Sequence, residues 1–207
     1  MKRWLAILSV TACAVAGPVE PPPRVALHDR LADGPVRFAI TGTGSIEAEH
    51  RAAGDRWIGG GAGITTSTGE LTEHLESDHL VTDSFDVSLD PIELPETVFD
   101  QPASLTDVRL TLARSSSAML TWSSDEHASA AFDLQLDLAW SITIAGGSTA
   151  LGVQHLPTIP MAVELSGTGS GVDARLELAA TGEVWTWATL VRLSNLTLSL
   201  AATSRFE

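Results

Sequence analysis

The sequence predicts an all-β protein, an antiparallel meander of about eight to ten strands closed as a barrel or folded as a two-sheet sandwich. Three observations carry this. Apolar residues recur at every second position through most of the chain after Val36, the period of a half-buried strand. Clusters of Gly, Ser and Thr separate the alternating runs. The intervals are short, and short connections enforce antiparallel neighbours.

Taken in order, Val36, Phe38 and Ile40 alternate with Arg37 and Thr41. The run Gly59-Gly60-Gly61-Ala62-Gly63 is expected as a flexible loop. It lacks the Gly-Lys-Ser/Thr ending of a phosphate-binding loop. One short helix is expected near residues 68–79, because Ser67 and Glu70 have capping-box spacing and Leu71 and Leu75 lie four apart. Val81, Phe85, Val87 and Leu89 resume the strand period, and 90–96 reads as an extended surface loop. Val108, Leu110 and Leu112 follow, then Ser115-Ser116-Ser117 as a turn. The strongest pattern is Phe132, Leu134, Leu136, Leu138, Trp140, Ile142 and Ile144, consecutive even positions that a helix would scatter around its surface. A strand that long must bend to stay covered, which favours a curved sheet. Gly146-Gly147-Ser148 and Thr181-Gly182-Glu183 mark hairpins around Ile159–Leu165 and Val172–Leu178, and Leu196, Leu198 and Leu200 close the series.

Three segments precede or make up the fold: 1–16 an export signal, 17–35 a Pro-rich tether, 36–207 a single β-domain. Lys2 and Arg3 precede the apolar run Trp4–Val10, the layout of a secretory signal and too short to cross a bilayer. Val10-Thr11-Ala12-Cys13 resembles the cleavage box of bacterial lipoproteins. The resemblance implies cleavage before Cys13, its lipidation, and anchoring at the cell envelope, with Ala14 favouring the outer membrane. Ala14-Val15-Ala16 offers a competing cleavage site, which would leave the protein free in the periplasm or outside the cell. Residues 17–35 hold five of the ten prolines, a composition that favours extended chain. Cys13 is the only cysteine, so the β-domain contains no disulfide.

The 26 Asp+Glu outnumber the 12 Lys+Arg, giving a formal net charge of −14. That balance argues against nucleic acid, whose phosphates need basic surface. The expected partners are a membrane, reached through the lipid on Cys13, and a protein partner or an apolar ligand.

Two groups of residues are candidates for chemistry. His74, Glu76, Asp78 and His79 put two imidazoles and two carboxylates within six positions, a set that could hold calcium or another divalent cation, though their spacing matches no defined zinc motif. Trp140, Trp185 and Trp187 are candidate walls of a pocket for an apolar ligand, Trp185 and Trp187 sharing a strand face. No G-x-S-x-G elbow is present; Asp125-Glu126-His127 and His155 are the remaining material for a catalytic triad. The sequence therefore points to a non-enzymatic exported envelope β-protein that binds or scaffolds, with no resident cofactor and an apolar ligand in the barrel as its sharper form. The alternative is a divalent-metal-dependent protein, structural or hydrolytic, built on His74–His79.

Overall fold

The computed structural model describes residues 26–52, 56–169, 171–187 and 191–205. Cys13 and the rest of the expected export signal lie outside the described residues.

The chain forms β1 (Val36–Ala52), β2 (Arg56–Glu76), β3 (His79–Leu89), β4 (Ile92–Leu94), β5 (Ala103–Leu112), β6 (Ser116–Met119), β7 (Thr121–Ser124), β8 (His127–Leu134), β9 (Leu136–Ile144), β10 (Gly147–His155), β11 (Ile159–Gly167), β12 (Gly171–Trp187) and β13 (Val191–Arg205). All pairings are antiparallel within one sheet. Several strands run end to end. β5, β6 and β7 make one stave, β8 and β9 a second, β10 and β11 a third; β1, β2, β3, β12 and β13 bring the total to eight. Each stave pairs with the next in sequence, and β13 pairs back onto β1, from Ala39↔Thr203 to His50↔Val191. The meander is thus a closed barrel rather than a sandwich.

Closure depends on two small residues at the seam. Gly42 and Gly44 of β1 lie opposite Leu200 and Leu198 of β13. A Cβ on Gly42 would stand 2.2 Å from the Ser199 carbonyl oxygen, and one on Gly44 would stand 2.1 Å from that of Thr197. Only glycine lets the first and last strands approach this closely.

The period-two pattern sorts side chains between the inside and the outside. Phe38, Ile40, Phe85, Leu110, Phe132, Leu134, Leu176 and Leu200 are buried in one continuous core. Arg37, Thr43, Glu47, Asp173, Glu177 and Ser199 are exposed on the outer wall. Burying each large aliphatic or aromatic side chain contributes about 1.5–3 kcal/mol. An eight-stranded barrel has an interior just wide enough for side chains to fill. The wall's polarity is opposite to that of a lipid-facing barrel, whose apolar set points outward. Among the described residues no helix is long and apolar enough to cross a membrane.

Three sequence expectations are corrected. Residues 68–76 are the end of β2, followed by a turn at 77–78, not a helix. The glycine run 59–63 also belongs to β2, where it pairs with Ala48 and its neighbours on β1. Among the described residues the one α-helix, α1 (Leu27–Ala32), lies inside the segment expected as an extended tether. Its Leu27 and Leu31 are fully buried, Leu27 N–H donates to the Asp125 carbonyl, and Arg30 donates to the Gly171 carbonyl. α1 therefore packs across one end of the barrel, against the β7–β8 turn and the start of β12.

Candidate functional site

The β2–β3 hairpin carries the proposed metal ligands. His74 lies on β2 and its Nδ1 meets Asp83 Oδ2 of β3 at 2.7 Å. His79 opens β3, and its Nδ1 meets Asp78 Oδ1 at 2.6 Å. Each imidazole thus has its own carboxylate partner, and Glu76 is exposed at the end of β2. Among the described residues no group of three or more His, Cys, Asp or Glu is placed to hold a metal ion. The turn at 77–78 splays the set that the sequence places side by side. Asp83, outside the expected set, is what the structure gives His74.

Glu73, between these residues in sequence, points the other way. It lies opposite Val36 on β1 and Thr82 on β3, and it is fully buried. Thr82 Oγ1 donates to its Oε1 at 3.2 Å. Desolvation pushes its pKa up to about 8, against the opposing effect of the Thr82 hydrogen bond. The signal was present in the sequence: Glu73 sits in phase with the inward-facing Leu71 and Leu75.

Of the candidate pocket walls, Trp140 is buried in the core. Trp185 and Trp187 belong to β12, where their backbones pair with Leu193 and Val191; their side chains lie outside the described residues. Trp140, Ile64, Leu105, Leu138, Leu193 and Leu196 help to line an apolar cavity of only about 20 Å³. Small-molecule sites occupy about 300–1,000 Å³. This space admits about one water-sized probe and no lipid or other apolar ligand of ordinary size. At Trp140 the described side chains leave only this small space; the expected pocket walls Trp185 and Trp187 have side chains outside the described residues.

The material for a triad is also dispersed. His127 Nδ1 meets Ser166 Oγ at 3.0 Å on the β8–β11 pair, whereas His155 of β10 pairs with Asp137 of β9.

Polar features lie on the outer wall. One is a groove of about 760 Å³ across β1, β2, β3 and β5, lined in part by Arg37, Thr41, Glu70, Asp86, Ser88 and Arg109. Arg109 holds Asp86 through two of its guanidinium nitrogens, Nε at 2.7 Å from Oδ1 and Nη2 on Oδ2, and this contact lowers the Asp86 pKa. The open groove presents donors and acceptors of both signs at fixed positions. That suits contact with a polar surface better than enclosure of a substrate. On the opposite side of the barrel, Ser199 and Arg175 both donate to Glu177 Oε1, and they lower its pKa in that order.

No family model matches this chain, and no curated protein matches it by sequence. Two solved structures resemble it in fold. Both are of Ail, the attachment invasion locus protein of Yersinia pestis, one of them in complex with the heparin analogue sucrose octasulfate. Each match covers 83% of this chain and 99% of the other at 9% identity, with TM-scores of 0.42 and 0.44 respectively.

Proposed function

We propose that this chain is a non-enzymatic protein of the bacterial cell envelope, exported, held at a membrane by a lipid on Cys13, and acting as a binding or scaffolding barrel through its outer wall. The observation that carries this reading is the distribution of side chains. Among the described residues the buried core is mainly apolar, with a cavity of about 20 Å³ beside Trp140, while most charged groups stand on the outside, the buried Glu73 being an exception. A barrel built this way meets its partners with its surface. The acidic balance, −14 overall, adds solubility outside the cell and excludes anionic polymers as general partners. The Pro-rich stretch before α1 supplies spacing between a lipidated Cys13 and the barrel.

Metabolic labelling of an expressing bacterium with an alkyne fatty acid tests the anchor. The expected result is a labelled protein in the membrane fraction, with the label lost in Cys13→Ala. A processed protein that begins at Gly17, unlabelled and soluble, overturns the anchored reading.

A further inference from the structure

We propose that, given the lipid anchor on Cys13 proposed above, the α1 end of the barrel rests on the same bilayer, with Trp122 and Met119 as its contacts in the headgroup layer. The chain enters the fold beside these two residues. Leu27 N–H donates to the Asp125 carbonyl in the β7–β8 turn, and the His28 ring stands 5.7 Å from the ring of Trp122 on β7. Met119 closes β6, three positions before Trp122. It lies opposite His79, next to the β2–β3 turn at the same end. Only 12 residues separate Cys13 from Ala26. A chain of that length reaches at most roughly 45 Å. The 17 residues of β1 carry the opposite end of the barrel away from that attachment, so the α1 end is the one held nearest the membrane.

The side chains at this end suit a lipid surface. Among the described residues three large apolar side chains are exposed: Met119 at 64%, Val153 at 63% and Trp122 at 36%. Val153 lies on β10, and the other two stand at the α1 end. Tryptophan favours the boundary between headgroups and acyl chains, where the ring is buried and the indole N–H still finds a partner. A short tether supplies an effective concentration on the order of millimolar. Two side chains then suffice for a contact that a free protein would not hold.

Charge selects the lipid. Asp29, Asp33, Asp78 and Asp125 are exposed at this end, while Arg30 of α1 is buried and donates to the Gly171 carbonyl. Anionic headgroups are repelled by such a rim. Zwitterionic headgroups offer it their ammonium groups, which stand outside the phosphates. The surface that fits is therefore a bilayer of phosphatidylethanolamine or phosphatidylcholine.

Nitroxide accessibility on vesicles tests this. The chain processed in a bacterium is reconstituted on vesicles of phosphatidylethanolamine and phosphatidylcholine, with a label on Thr121→Cys or, at the opposite end, on Ser148→Cys. Both positions are exposed, and Thr121 lies between the two contact residues without being one of them. Cys13 is the only native cysteine, and once lipidated its sulfur does not react, so each variant offers one thiol. The label at 121 is expected to meet membrane-soluble oxygen more readily than an aqueous nickel chelate, and the label at 148 the reverse. Adding Met119→Asp, or putting phosphatidylglycerol in place of phosphatidylcholine, is expected to return the label at 121 to water. A chain that stays off the vesicles overturns the anchored reading and the docked end with it. A chain that floats with the vesicles while its label at 121 reports water overturns the docked end alone. So does a label at 121 that is indifferent to Met119→Asp or to phosphatidylglycerol.

Discussion

Thr82 Oγ1 donates to Glu73 Oε1 across the β2–β3 pair, inside the barrel, and Glu73 Oε2 has no hydrogen-bond partner among the described residues. The buried carboxyl is thus held by one neutral donor, and desolvation raises its pKa from 4.5 to about 8. In the unfolded chain it ionises near 4.5. Below that value both states bind the proton and stability is indifferent to pH. Between 4.5 and 8 only the folded state keeps it, so stability falls as pH rises; above 8 it levels off again. Glu73→Gln keeps a hydrogen-bonding side chain of the same size and removes the titration. The variant is expected to be more stable than wild type at pH 8 by a few kcal/mol and similar to it at pH 4. Urea unfolding at the two pH values measures this. A wild-type stability that does not fall across the interval, or a variant with the same slope, refutes it.

The same residue explains where the sequence misled. Leu71, Glu73 and Leu75 occupy successive inward positions of β2, so a carboxylate interrupts the apolar alternation that elsewhere marks a strand. With Glu73 out of the pattern, the spacing left visible is Leu71 to Leu75, which mimics a helix face. The glycine run 59–63 was obscured for a related reason: glycine carries no side chain to show a period, and its strand exists because β1 pairs with it residue by residue. The alternating segments were legible; Phe132 to Ile142 is buried at each even position, with a break at Gln135 that divides β8 from β9. Barrel against sandwich was not legible, since pairing of the first strand with the last leaves no local signature. The candidate site failed at the same level. Neighbours in sequence such as His74 and His79 are separated by the hairpin, and the cross-strand partner that His74 does find, Asp83, is nine residues away.

Closure through Gly42 and Gly44 predicts a sharp contrast among glycines. Gly44→Ala places a Cβ 2.1 Å from the Thr197 carbonyl oxygen, which is backbone and cannot swing aside. The seam must open, at a cost of about 3 kcal/mol or more. Gly61→Ala, with nothing within 4 Å of its new Cβ, is expected to lie within about 0.5 kcal/mol of wild type. For a chain of this length the first change lowers Tm by roughly 6–12 °C. Equal melting of the two variants would show that the seam is not tight.

α1 is part of the folded unit in this structure, not of the tether. Leu31 is fully buried against the barrel end. Leu31→Ala is therefore expected to cost about 2–5 kcal/mol. The exposed neighbour Asp29 offers the comparison, since Asp29→Ala should change stability by less than about 0.5 kcal/mol. Chemical denaturation of both variants checks the pair. A Leu31→Ala protein as stable as wild type places α1 outside the cooperative fold.

A filled barrel makes its last prediction at Trp140. The side chain is 3% exposed and borders the cavity of about 20 Å³ that remains near Leu138 and Leu193. Trp140→Ala removes an indole from a close-packed interior, and the walls relax only in part. The loss is expected at about 3–5 kcal/mol. The enlarged hole is apolar, and a dry apolar cavity of that kind binds a small aromatic such as benzene. Benzene should then raise the Tm of Trp140→Ala and leave that of wild type unchanged, because wild type has no room for it. Stabilisation of wild type by benzene would mean that the interior already admits a ligand, and would return the barrel to the class of apolar-ligand carriers.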